Sequence, residues 1–177
     1  METGYQALRE ALSRYQDGEL TSETVKPLLA PCGIYQQRNG LFMARVRVSG
    51  GEVDCRILNG LADILDAAGG SAHLTTRQDI QLHDLPDDRV AETVLACDRL
   101  GLPFKGGGGN TYRNLVVGPE SGLAPESVFD VYPYARAVNR AVLACDKAFT
   151  LPRKFKIGFF ADAGGTLRAA VQDLGFV

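Results

Sequence analysis

The sequence predicts an α+β protein, and two observations carry that expectation. Segments in which apolar and polar residues alternate, such as residues 41–48 and 154–160, are interleaved with segments whose apolar residues recur every three or four positions. The composition, 177 residues with 45% hydrophobic and 23% charged, suffices for an ordinary core in one domain or two small ones. Strand, helix, strand, helix in the first hundred residues argues for a sheet layered with helices on one side.

In residues 5–16, Leu8, Ala11, Leu12 and Tyr15 fall at helical spacing, and Gly18 is placed to stop the helix. The segment TSETVKPLLAPCG opens with capping residues but contains Pro27 and Pro31, which predicts a turn or two and then an extended entry. Residues 41–48, LFMARVRV, put Phe42, Ala44, Val46 and Val48 on one face and Met43, Arg45 and Arg47 on the other. Ser49-Gly50-Gly51 turns the chain into a helix of about 53–68 with Ile57, Leu61, Ile64, Leu65 and Ala68 as its apolar stripe, ended by Gly69-Gly70. A strand region over about 72–83 places Arg77, Asp79, Gln81 and His83 on one face, with Gln78, Ile80 and Leu82 on the other. After Pro86, a helix of about 87–100 turns Val90, Val94, Cys97 and Leu100 inward.

The run GLPFKGGGGNTYRN, residues 101–114, is the sharpest change of composition and the expected boundary. Beyond it, Leu115-Val116-Val117 reads as a short strand. Residues 133–149 read as a helix with Ala137, Val138, Ala141, Val142, Cys145 and Phe149 on one face, ended by Pro152. KFKIGFF then alternates, with Phe155, Ile157 and Phe159 opposite Lys154, Lys156, Gly158 and Phe160. The closing QDLGFV carries no polar tail and reads as a stop inside a domain.

A net charge of −2 gives no global field for nucleic acid or an anionic membrane, so any anion site is local. The apolar stretches are far shorter than the roughly 20 residues that span a bilayer, and METGYQALREAL lacks the basic-then-apolar pattern of a secretory signal. A cytoplasmic location is the default expectation. Cys32, Cys55, Cys97 and Cys145 are widely spaced with no C-x-x-C pair, so they read as isolated reduced thiols rather than as metal ligands.

Chemistry is concentrated in paired basic residues on polar strand faces: Arg45 with Arg47, Arg77 beside Gln81 and His83, and Lys154 with Lys156. Arg113 and Arg153 lie at nearby strand or loop edges. One such pair alone reads as a solvated sheet face. Three together fit a cofactor with many carboxylates, or a small oxyanion, either of which needs several cations from different elements. A lone histidine on a strand is more often a hydrogen-bonding residue than a catalyst, and His73 has less in its favour than His83. The run Gly106 to Gly109 lacks the Lys-Ser/Thr of a phosphate loop, and reads as a flexible crossing or a close approach to a flat ligand. No Ser-His-Asp or Cys-His arrangement follows from the spacing.

GIYQQR at 33–38, FMARVRVSGG at 42–51, LTTRQDIQLHDL at 74–85, GNTYRN at 109–114 and LPRKFKIGF at 151–159 occur in this order. Together they resemble the sirohaem-dependent sulfite and nitrite reductases over roughly residues 30–177, as the N-terminal half of such an enzyme. TTRQ-x-x-Q-x-H followed by LPRKFK is the specific part. The resemblance implies an N-terminal helix and lead-in (1–32), a ferredoxin-like half-domain (33–101), and the start of a sirohaem-binding α/β domain (102–177). It implies six-electron reduction of sulfite to sulfide or nitrite to ammonia at a sirohaem coupled to a [4Fe-4S] cluster. Arg47, Arg113, Lys154 and Lys156 would then surround the oxyanion and supply charge and protons. Arg77, Gln81, His83, Asn114 and Arg153 would hold sirohaem carboxylates or shape the pocket.

Departures from the family pattern set further expectations. The cluster cysteines that follow RKFK in the family, among them the axial ligand, are absent here, as is the second ferredoxin-like half. The chain alone is therefore expected not to catalyse the reaction, to need the C-terminal half and an electron-donor protein, and to be able to dimerise through an open sheet edge. Lys156 leans the substrate towards sulfite. The alternatives are a nitrite reductase, a precorrin-3B synthase-like enzyme on the same scaffold, which Lys154 and Lys156 argue against, and a non-catalytic module that binds a tetrapyrrole or a partner.

Overall fold

The structure, a computed structural model, describes residues 2–125, 127, 129–161 and 164–177. It divides into two compact units. The first comprises the chain up to Arg47, Val53–Thr75 and Ile80–Gly109; the second comprises Val48–Glu52, Thr76–Asp79 and Asn110–Val177.

The first unit opens with α1 (Glu2–Gln16) and α2 (Ser22–Leu29). A capping box between Thr21 and Thr24 starts α2, and the helix runs through Pro27 to bury Val25 and Leu29. The expected extended entry after it is instead a 3-10 turn, Ala30–Cys32, closed by Gly33 in the left-handed region. Four strands follow: β1 (Ile34–Gln36), β2 (Phe42–Val46), β3 (Ser71–Leu74) and β4 (Ile80–Leu85). They form an antiparallel sheet in the order β1-β2-β4-β3. Strands β2 and β3 are thus parallel to each other with β4 between them, and α3 (Cys55–Ala68) makes the crossover, the split β-α-β of a ferredoxin-like sheet. The edge position beside β2 is taken by β1.

The helix α4 (Asp87–Leu100) packs on β2, with α1 and α3 against it. Its Val90, Val94 and Cys97 are buried with Phe42, Ala44, Val46, Ile80, Leu82 and Leu85 from the sheet. Alternation in β2 is as the sequence predicts, with Met43 and Arg45 on the face away from the core. The expected single strand over 72–83 is corrected to a hairpin, β3 and β4, whose connection includes Gln78 at a φ of 59°. Arg77 and Asp79 therefore do not share a strand face with Gln81 and His83. Without a Gly or Pro, that connection carried no turn signal. A register shift between Phe42 and Ala44 leaves β4 with an extra residue, and Asp84, with φ of 61°, takes up the bend.

The second unit is built on a parallel sheet, β5 (Val116–Val117), β6 (Ile157–Phe159) and β7 (Leu174–Phe176), in that order. A bridge between Tyr112 and Phe155 extends it upstream. The helix α5 (Tyr132–Leu143) lies on β5, and α6 (Gly165–Ala170) on β6 and β7. The core joins Tyr112, Leu115, Val117, Val131, Ala135, Ile157, Phe159 and Ala161.

Two expectations change in this unit. All of β6, and Phe160 after it, is buried, so the alternation predicted over 154–160 does not hold. A central parallel strand is covered on both faces, which removes the polar side that alternation implies. The helix predicted over 133–149 stops at Leu143 and is followed by a 3-10 turn, Asp146–Phe149. Its inward face carries Ala135, Val138 and Val142, while Ala137, Ala141 and Cys145 are exposed. Alanines are small enough to sit on either face and misplace a stripe read from sequence.

Among the described residues no helix is long and apolar enough to cross a membrane.

Candidate functional site

Parallel strands all start at the same end of their sheet, so residues just before β5, β6 and β7 are brought together there. Arg113 lies just upstream of β5, and its N–H donates to the Phe155 carbonyl at 2.8 Å. Lys154 and Lys156 flank Phe155; Lys154 is exposed and Lys156 half-buried. Asp173 precedes β7, and its Oδ2 accepts from the Lys156 N–H at 2.8 Å. The ladder closes with the N–H groups of Asp173 and Leu174 donating to the Lys156 carbonyl, each at 3.1 Å. Arg153 reaches the same carboxylate, Nη2 to Oδ1 at 3.3 Å, with 80% of its side chain exposed against 22% for Asp173.

Arg77 comes to this unit from the hairpin connection. Its Nη2 donates to the Asn114 carbonyl at 2.7 Å and its Nη1 to Gln172 Oε1 at 3.0 Å. The remaining donor, Nε, is buried with no hydrogen-bond partner among the described residues. Burial lowers the Arg77 pKa, the nearby Arg113 charge adds to the effect, and Asp79, Tyr112 and Asp173 oppose it. A guanidinium starts so high that it stays charged through the neutral range.

Asn114 is 2% exposed and holds the segment that carries Arg77. Its Nδ2 lies 2.7 Å from the Val48 carbonyl and 3.1 Å from each of the carbonyls of Arg77 and Gln78, while its Oδ1 is buried without a hydrogen-bond partner. Gln78 completes the clamp by behaving as an extra strand: its amide donates to the Val117 carbonyl at 2.7 Å and accepts from the Val117 N–H at 2.9 Å. Gly50 is needed alongside, since at φ of 66° a Cβ would stand 2.9 Å from both Tyr132 and Val117 side-chain carbons.

In the first unit the basic residues are engaged differently. Arg47 is 2% exposed; its Nε donates to the Lys105 carbonyl at 2.8 Å and its Nη2 to the Gly106 carbonyl at 2.7 Å. Arg45 Nη1 donates to the Gly107 carbonyl at 3.0 Å. The glycine run thus approaches the chain's own backbone. A Cβ on Gly107 would lie 2.5 Å from the Arg45 carbonyl oxygen, and one on Gly108 would overlap the Ala30 carbonyl and the Tyr35 hydroxyl. The close approach that these glycines permit is to the chain's own backbone.

Gln81 pairs with Arg45 on one side and His73 on the other, in a row across three strands. His83 is fixed between amides: Gln37 accepts the Asp84 N–H through Oε1 at 2.8 Å, which turns its Nε2 towards His83 Nδ1 at 3.3 Å. The ring proton then sits on Nε2, 3.3 Å from Gln81 Oε1. The His73 and His83 rings are 5.9 Å apart.

Arg77, Arg113, Asn114, Arg153, Lys154 and Lys156 are therefore in the second unit, and Arg47, Gln81 and His83 in the first. Gln78, Asp79, Gln172 and Asp173 were not singled out in the sequence. The pairing of β6 with β7 that makes Asp173 a neighbour of Lys156 has no local signal.

The four cysteines do not form a cluster site. Burial pushes the Cys32 thiol up to about 11, and burial with the Asp98 charge pushes Cys97 up to about 12, while Cys55 and Cys145 are exposed. Among the described residues no three His, Cys, Asp or Glu side chains are grouped to hold a metal ion.

Residues 35–97 match the nitrite/sulfite reductase ferredoxin-like half domain, and residues 108–177 match the nitrite and sulphite reductase 4Fe-4S domain. The chain is 32% identical over 143 residues to a ferredoxin–nitrite reductase of Synechococcus elongatus, covering 77% of this chain and 28% of that protein. It is 28% identical over 211 residues to the sulfite reductase [NADPH] hemoprotein beta-component of Acidithiobacillus ferrooxidans, covering 96% of this chain and 37% of the relative. The Mycobacterium tuberculosis NirA protein has the same fold, with a TM-score of 0.71 at 20% identity over 92% of this chain and 36% of that one. The chain spans about a third of the length of these proteins. With two consecutive family domains matched in order, the chain belongs to the nitrite and sulfite reductase family.

Proposed function

We propose that this chain supplies the oxyanion-binding and cofactor-carboxylate-binding cations of an enzyme that reduces sulfite or nitrite. The observation that carries the reading is the strand-end group of the second unit, where Arg77, Arg113, Arg153, Lys154 and Lys156 come from segments that the parallel sheet brings to one end, with the carboxylates of Asp79 and Asp173 near Arg77.

The residues present fit the carboxylates of a sirohaem. Arg77 is pinned by Asn114 and Gln172 with a buried Nε donor left over, which suits a planar carboxylate, and exposed Arg153 offers a second guanidinium. When bound, sirohaem would supply electrons to the oxyanion. Arg113 fits charge stabilisation on the oxyanion, and Lys154 and Lys156 fit point charges that also deliver protons as oxygens leave as water. Asn114 orients Arg77 from behind. Gln81 and His83 are assigned to the cofactor, and Arg47 to the oxyanion, by the resemblance alone; in the structure Arg47 holds the glycine loop.

The cysteines do not fit a [4Fe-4S] cluster, so this chain by itself is proposed to give no turnover and to work with further protein that carries the cluster and receives electrons from a donor. Lys156 supports sulfite as substrate. The Synechococcus relative, a nitrite reductase, favours nitrite as the second reading.

The test is the visible spectrum of the purified chain with sirohaem under reducing conditions, beside an Arg77→Ala/Arg153→Ala variant. A shifted Soret band lost in the variant is the expected result. An equal shift in both proteins would remove these two arginines from the cofactor site.

A further inference from the structure

We propose that Asp173 is the resident counter-anion of the strand-end cations, and that it sets both how tightly they take an oxyanion and which oxyanion they prefer; this rests on the function proposed above. The carboxylate sits among the strand-end cations, held on the backbone of one proposed oxyanion ligand and paired with the neighbouring Arg153. Its Oδ2 accepts the Lys156 N–H at 2.8 Å and its Oδ1 faces Arg153 Nη2 at 3.3 Å. It is held there by its own backbone, because the N–H groups of residues 173 and 174 both bond the Lys156 carbonyl. It is also near enough to Arg77 for its charge to be felt there. A ligand oxygen approaching the Arg153 guanidinium must displace or share its contact with Oδ1, and one approaching the Lys156 side chain does so beside a fixed negative charge held on that residue's backbone.

Coulomb repulsion is linear in the ligand's charge. A fixed carboxylate therefore penalises a dianion about twice as much, on a logarithmic scale, as a monoanion. Sulfite in mildly alkaline solution is mainly a dianion and nitrite is a monoanion, so Asp173 shifts the cluster's preference towards nitrite while Lys156 favours the more highly charged ligand. The opposition lies between neighbouring residues of the β6–β7 ladder.

The experiment is calorimetric titration of the full chain with sodium sulfite and with sodium nitrite, at constant ionic strength set by chloride, for the wild type, Asp173→Asn and Asp173→Glu. Asn keeps an oxygen for the Lys156 N–H, and the Tm of each variant checks the fold; Asp173→Ser is the second neutral variant if Asn does not fold. The expected result is a gain in affinity on neutralisation of about 3-fold for nitrite and about 10-fold for sulfite, with Glu close to wild type. Unchanged affinities for both anions in a folded neutral variant would overturn the role of Asp173 and leave the cation cluster standing. No binding by the wild type or any variant would overturn the anion site itself.

Discussion

The two units differ in how far they bury their basic residues. In the antiparallel unit, Arg47 and Arg45 point their guanidinium groups at carbonyls of the 105–107 loop, and Arg47 is buried by doing so. In the parallel unit, Arg153 and Lys154 stay in solvent at the strand starts, and Arg77 is pinned with a donor to spare. A buried guanidinium turned wholly onto loop carbonyls braces the loop, whereas an exposed one at a strand end can be reached by an anion. Residue type alone does not distinguish the two.

Substitution of Arg47 by Leu should break this contrast most strongly. It strips one buried and one part-buried carbonyl of charged donors and should lower stability by roughly 3 kcal/mol, read as a fall in the urea midpoint. A midpoint close to wild type would mean that the loop carbonyls find other donors, and that Arg47 does not brace the loop.

Alkaline pH should separate the units next. A thiol raised by burial keeps its proton in the folded state, so its contribution is complete below the unfolded value of 9.0 and is lost as pH rises towards about 12 for Cys97. Stability should therefore decline above pH 9, by roughly 1 kcal/mol per unit for one such thiol. Cys97→Ala should reduce that slope and leave the share due to Cys32, while the same change at exposed Cys145 should not alter it; equal slopes in the two variants would contradict the burial of Cys97.

Lys154→Gln should have the smallest effect on folding and a clear one on ligand. The side chain is exposed, so Tm should be unchanged while sulfite affinity in titration falls several-fold. A drop in Tm with unchanged affinity would place Lys154 with Arg47 among the bracing cations.

The lengths of α3 and α4 and the inward residues of β2 were legible because each depends on periodicity within one segment. Residues 72–83 misled for a matching reason: Gln78 takes a positive φ that nothing local demands, and is kept there by an amide pairing to Val117 almost forty positions away. The basic residues could be picked out as a set, but which of them turn onto the chain's own backbone could not. Arg47 and Arg45 follow one another on a strand much as Lys154 and Lys156 do before one, yet the former turn their guanidinium groups onto a glycine loop, while Lys154 is exposed and Lys156 half-buried.

The sequence by itself determined the α+β class, the order of most elements, and membership of a reductase family through motifs that keep their order along the chain. Tertiary structure alone decided which cations turn onto backbone carbonyls, and that Asp173 stands beside Arg153. The reason is range: helix and strand patterns are written in side chains a few positions apart, whereas a charge takes its role from whatever the fold brings beside it. In this chain those neighbours come from distant strands and loops.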